Sequence, residues 1–166
     1  MGYIHFNGQL VPADEKLIGA RNRGLRYGDG VFETIKVVNG KIRLESFHFD
    51  RLLQGLQTLQ FALPDTFTPE YISACIISLC RKNNLEQLAR IRLNVIRGNG
   101  SLFTTEEKNP YIIIESEPLP EGYSSFNEKG FSIDIYKEAR KSCDVFSNLK
   151  SNNYLPYLMA ANYAKQ

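Results

Sequence analysis

Two of the three Asn-Gly dipeptides, Asn7-Gly8 and Asn39-Gly40, constrain this chain more than any other feature. A two-residue hairpin turn needs positive φ at both central residues, which asparagine and glycine tolerate and most residues do not. The first dipeptide sits inside the alternating stretch Tyr3 to Pro12; the second joins Val31 to Val38 to Lys41 to Leu44. The chain is therefore committed early to antiparallel, hairpin-linked strands.

Later segments extend that pattern. Arg90 to Arg97 has period two, which puts Ile91, Leu93, Val95 and Arg97 on one face and Arg90, Arg92, Asn94 and Ile96 on the other. Tyr111 to Glu115 reads as a short buried strand. Between the strands, Ser46 is placed to cap a helix running to about Gln60. Its core stripe is Phe49, Leu52, Leu53, Leu56 and Leu59, and a second stripe of Phe47, His48, Arg51 and Gly55 points elsewhere. Thr68 and Pro69 start another helix, with Ile72, Cys75, Ile76 and Leu79 on its buried side and Asn83-Asn84 at its end.

Pro118-Leu119-Pro120-Glu121-Gly122 disfavours any continuing element. Beyond it Phe131, Ile133 and Ile135 alternate as a new strand, and a final helix runs from Tyr154 to Gln166 without a terminator. The expectation is an α+β fold: a small N-terminal α/β domain over residues 1–120, a linker over 118–124, and residues 125–166 as the opening of a larger β-rich domain.

Charge and composition narrow the function classes. Twenty basic residues against 18 acidic ones leave a net charge of +2, so neither nucleic acid nor an anionic membrane is called for. No stretch reaches the roughly 18 consecutive apolar residues of a membrane span. Met1 to Asn7 carries no secretory signal pattern. Cys75, Cys80 and Cys143 form no CxxC pair, and His5 and His48 are the only imidazoles. A reducing, cytoplasmic compartment and no metal are expected.

Three side chains stand out chemically. Lys150, amid Asn148, Ser151, Asn152 and Asn153, is placed for an amine at a cleft; the plain alternative is a solvated loop lysine. Arg51 has a donor fork suited to a phosphate or carboxylate; otherwise it is a flank arginine pairing with Asp50 or Glu45. Arg97 falls on an apolar strand face, where a guanidinium needs a partner or a ligand, or else escapes to water at the strand end. Gly28-Asp29-Gly30 precedes a strand rather than a helix, so it reads as a tight turn and not as a phosphate loop.

Taken in order, several segments resemble the class IV (fold type IV) pyridoxal-phosphate enzymes, which include branched-chain and D-amino acid aminotransferases and aminodeoxychorismate lyase. They are Phe6-Asn7-Gly8, Arg23-Gly24-Leu25-Arg26-Tyr27-Gly28-Asp29-Gly30-Val31-Phe32-Glu33-Thr34, Asn39-Gly40-Lys41, His48-Phe49-Asp50-Arg51-Leu52, Val95-Ile96-Arg97-Gly98 and Leu149-Lys150-Ser151-Asn152-Asn153-Tyr154-Leu155. The resemblance implies pyridoxal 5'-phosphate as cofactor, carried by Lys150 as an aldimine, with Arg51 on its phosphate.

It further implies Arg97 (the D-amino acid pattern) or Arg92 (the branched-chain pattern) on a substrate carboxylate, with Phe32, Thr34 and Tyr154 lining the substrate pocket. The implied reaction moves an amino group between an amino acid and a 2-oxo acid in a homodimer. Its alternatives are a lyase releasing pyruvate and a non-catalytic, truncated domain. Asn22 stands where many members carry an aspartate, and the acidic partner of the cofactor's ring nitrogen is expected beyond Gln166.

Overall fold

Asn7 and Gly8 take φ of 46° and 90°, and Asn39 and Gly40 take 49° and 68°, so both dipeptides turn hairpins. The first joins β1 (Tyr3–Phe6) to β2 (Gln9–Pro12), and the second joins β3 (Gly30–Val38) to β4 (Lys41–Ile42). The computed structural model describes residues 2–106, 109–124 and 126–165. With β5 (Leu88–Ile96) and β6 (Tyr111–Pro118) the strands form one six-stranded sheet in the order β2-β1-β6-β5-β3-β4, every pair antiparallel.

Register fixes what each face carries. Leu93 lies opposite Glu33 and Ile114, and Val95 opposite Val31 and Ile112. Val31, Glu33, Ile35, Val37, Ile91, Leu93 and Val95 therefore share one face, and all are buried. Two helices supply the apolar side chains of the same core: α2 (Glu45–Thr58) through Phe49, Leu52 and Leu56, and α3 (Pro69–Lys82) through Ile72, Ile76 and Leu79. Each of these side chains contributes about 1.5–3 kcal/mol when fully buried. The opposite face carries Phe32, Thr34, Arg92 and Asn94.

Thr68 caps α3 by accepting from Tyr71 N at 3.2 Å, with Pro69 in the first turn and Asn83 closing the helix, as its sequence indicates. The start of α2 differs from expectation. Ser46 is already helical, and Leu44 at φ 55° is the turning residue, with no side-chain cap. The chain leaves β4 at Ile42 and reverses within two residues, so a left-handed residue does what a cap would do elsewhere. A short helix, α1 (Arg23–Tyr27), was not anticipated; Asn22 Oδ1 accepts from Leu25 N at 2.9 Å and Gly28 ends it at φ 66°.

Beyond Pro118 the chain makes a 3-10 turn at Glu121–Ser124 and the helix α4 (Leu155–Tyr163). Phe131, Ile133 and Ile135 do not form the expected strand, and their side chains are exposed. A strand needs a neighbour to take its backbone hydrogen bonds, and none of the described strands pairs with this segment. Residues 125 and 166, the bounds assigned to the second part of the chain, lie outside the described residues.

Cys75 and Cys80 are buried free thiols and Cys143 is exposed and free. Burial, aided by Glu86, pushes the Cys80 thiol up to about 11. Among the described residues no helix is long and apolar enough to cross a membrane, and no cluster of three or more metal-ligating side chains occurs.

Candidate active site

The segment around Lys150 is held by the first residues of β3. Phe32 N donates to Lys150 O at 2.9 Å, Asn152 N donates to Gly30 O at 3.0 Å, and Ser151 bridges Val31 antiparallel. Asn152 Nδ2 adds a bond to Asn94 Oδ1 on β5 at 3.0 Å. Glycine at position 30 permits this approach: a Cβ there would stand 2.5 Å from Val95 O and 2.8 Å from Asn152 Nδ2. At Gly28 a Cβ would make only an ordinary 3.5 Å contact with the Asn152 backbone, and it is the φ of 66° that calls for glycine there.

This pairing sets Lys150 level with Phe32. The Lys150 Nζ lies 4.5 Å from the Phe32 ring centroid, and the Arg92 guanidinium carbon lies 4.2 Å from the same centroid. Tyr154 meets that ring edge-on at 5.4 Å and stacks on Tyr157 at 4.6 Å. Thr34, opposite Arg92 in register, shares the face and is half-buried.

Helix α2 brings the second half of the site. Arg51 Nε and Nη2 donate to Glu33 Oε1 and Oε2 at 2.6 and 2.7 Å, a bidentate pair. His48 Nδ1 lies 2.8 Å from Glu33 Oε2. A carboxylate only accepts, so Nδ1 carries the hydrogen, and its 3.4 Å approach to Arg51 Nη2 is two donors meeting over one oxygen. The Glu33 side chain is 0% exposed, whereas that of Arg51 is 49% exposed. The carboxylate raises the proton affinity of the Arg51 guanidinium further.

Lys150 is pushed the other way. Burial lowers its proton affinity; Glu33 opposes that, and Arg51 and Arg92 reinforce it. Lys150 and Arg51 both line a cavity of about 960 Å³, together with Gly28, Gly30, Tyr154 and Tyr157. Four cations, Arg51, Arg140, Lys141 and Lys150, and two carboxylates, Asp29 and Asp144, line it, a balance that suits an anionic ligand.

Of the residues singled out in the sequence, Lys150, Arg51, Phe32, Arg92, Thr34 and Tyr154 gather here, though Phe32, Thr34 and Arg92 are not in the cavity wall. Arg97 does not line the cavity either, although two of its partners, Asp29 and Leu59, do. As its parity indicates, it follows Ile91, Leu93 and Val95 on the helix-covered face, whereas Lys150 meets the Phe32 face. Its guanidinium donates to Asp29 Oδ2 at 2.9 Å, Leu59 O at 2.6 Å and Gln60 O at 3.4 Å, and lies 4.1 Å from the Phe61 ring centroid. Arg23 Nε donates to the same Asp29 oxygen at 2.9 Å, so one carboxylate ties two arginines to the turn before β3. Asn22 is buried and donates to Arg97 O at 3.2 Å besides capping α1.

Glu33 was not singled out from sequence, and a signal for it existed. It interrupts the apolar series Val31, Ile35, Val37, so its parity alone sends a carboxylate to the buried face, where it needs cationic partners. Arg51 and His48, three apart on one helix, are such partners.

Comparison with known proteins shows the family of the chain. A family model described as amino-transferase class IV matches residues 30–166. A Methanocaldococcus jannaschii protein provisionally named a branched-chain-amino-acid aminotransferase is 34% identical over 97% of this chain and 56% of its own length. The D-alanine aminotransferase of Staphylococcus haemolyticus is 26% identical over 99% of this chain and 57% of its own. Among solved structures, the branched-chain amino acid aminotransferase from Escherichia coli superposes with a TM-score of 0.63 at 25% identity, over 71% of this chain and 41% of that one. The chain thus spans little more than half the length of the curated relatives it matches. It belongs to the class IV aminotransferase family.

Proposed function

We propose that this class IV aminotransferase chain moves an amino group between an amino acid and a 2-oxo acid, with pyridoxal 5'-phosphate as its cofactor and Lys150 as the amine that carries it. The observation that supports this most is the setting of Lys150: its burial beside Arg51 and Arg92 favours the neutral amine, the form that attacks a carbonyl. A fully solvated loop lysine would lack this push toward the neutral form.

The residues present fit the cofactor. Arg51 spends Nε and Nη2 on Glu33, its Nη1 takes no partner among the described residues, and the residue lines the same cavity as Lys150. A phosphate dianion suits such a donor. The cavity volume, about 960 Å³, lies within the range of small-molecule sites. When bound, the cofactor supplies the electron sink that stabilises negative charge at the substrate Cα.

The protein's own groups do the rest. Arg51 binds the phosphate and fixes the cofactor's position. Lys150 would take the proton from the substrate Cα and return one, a task suited to an amine whose proton affinity is already lowered. Phe32, 3% exposed, walls the amine from water, with Tyr154 against its edge. Arg92 has no carboxylate partner among the described residues and is placed to take a substrate carboxylate, with Thr34 beside it. Arg97 serves in this reading through Asp29, by holding the turn before β3.

In the same reading residues 1–120 make the small domain, 118–124 the link and 125–166 the opening of the larger one, and the working unit is a homodimer in the cytoplasm. The sheet's ending at Pro118 supports the division.

The test is direct. The purified chain is incubated with pyridoxal 5'-phosphate, reduced with borohydride and mapped by peptide mass. An adduct on Lys150 that disappears in Lys150→Ala is the expected result; a chain that takes up no adduct refutes the reading. Amino transfer to 2-oxoglutarate, against pyruvate release without an acceptor, then separates a transferase from a lyase.

A further inference from the structure

We infer that Glu33 is a positioning residue for the anion site, holding the Arg51 guanidinium so that its Nη1 edge faces the cavity. This rests on the reading of Arg51 as the holder of the cofactor's phosphate. The geometry is specific. Glu33 is fully buried, so its carboxylate has no water to turn toward, and three donors from two α2 side chains engage both its oxygens. Two parallel bonds fix the plane of the guanidinium as well as its position. His48 holds Oε2 as well, beside Arg51 Nη2, and so restrains rotation of the carboxylate. An arginine 49% exposed on a helix would otherwise sample many rotamers, and an anion binding it would bear the entropy of ordering it.

Charge and position make opposite predictions, which makes the inference testable. Glu33 is a carboxylate that acts on both Arg51 and Lys150. If it acted only as a charge, neutralising it would leave the site more positive and tighten phosphate binding. If it acts by orienting Arg51, neutralising it loosens the fork and weakens phosphate binding.

The experiment titrates the full chain with pyridoxal 5'-phosphate and with pyridoxal, which lacks the phosphate, and takes the ratio of the two affinities from the visible absorbance of the lysine adduct. Wild type is expected to favour the phosphorylated ligand, and Glu33→Gln to lower that preference about tenfold. In an Arg51→Gln background, Glu33→Gln is expected to lower it no further.

A preference that is unchanged or increased in Glu33→Gln overturns the inference and leaves the reading of Arg51 intact. An equal further fall in the Arg51→Gln background also overturns it, because Glu33 would then act by another route. A wild type with no preference removes the proposed role of Arg51 and the inference with it. Should Glu33→Gln fail to fold, Glu33→Asp carries the test: it keeps the charge but is one methylene too short to reach Arg51 and His48 together, so a wild-type preference there overturns the inference.

Discussion

Lys150 Nζ lies 4.5 Å from the ring centroid of Phe32, a residue 118 positions earlier in the chain, and this contact joins the C-terminal part of the chain to the sheet. The Arg92 guanidinium meets the same ring at 4.2 Å. One aromatic side chain thus faces two cations, each attracted to its ring by about 0.5–2 kcal/mol. Phe32→Ala is expected to cost about 3–5 kcal/mol in urea denaturation, through the cavity it leaves and the contacts it removes. The same variant should raise the pH midpoint for acylation of Lys150, because water reaches the amine.

Lys150 itself is expected to cost stability at neutral pH. Its folded proton affinity is below the ordinary value of 10.5, so between the lowered value and 10.5 the unfolded chain binds more protons than the folded one. Stability contributed at this site therefore rises with pH across that window. Lys150→Met should be more stable than wild type at pH 7, and the gain should vanish as pH passes 10.5. Urea midpoints for both proteins across that range measure it; a gain that grows with pH contradicts the assigned direction.

Glu33→Ala strands Arg51 and His48 next to a void where three bonds had been. A loss of about 2–4 kcal/mol is expected, below the full cost of breaking a buried pair because Arg51 is half exposed. The Glu33→Ala and Arg51→Ala changes should be strongly non-additive in a denaturation cycle.

Gly30→Ala places a methyl group 2.5 Å from Val95 O and 2.8 Å from Asn152 Nδ2, with backbone on one side and a bonded amide on the other. The segment carrying Lys150 is the part that yields. Faster hydrogen exchange at the Asn152 amide, which bonds Gly30 O, is the expected readout, with a stability loss of about 1–3 kcal/mol.

Much of this molecule is decided locally. Asn-Gly turns set both hairpins, Thr68 and Pro69 start α3, and the alternation of β5 puts Arg92 and Arg97 on opposite faces, because φ/ψ preference and side-chain period belong to residues and their near neighbours. Even α1 has a local signal, the Asn22 cap and the Gly28 stop.

Which face of β5 meets the lysine is a different kind of fact. It follows from the pairing of Ser151 with Val31, two segments more than a hundred residues apart, and that pairing brings Arg92 to Lys150 and leaves Arg97 to Asp29. The alternation at Phe131, Ile133 and Ile135 fails as a strand for the matching reason: period two prepares a strand, and only a neighbour makes one. Parity determined on its own that Glu33 would be buried. The packing of α2 against β3 decided that its carboxylate would meet Arg51 and His48, since a buried charge is stable only where the fold delivers its partners.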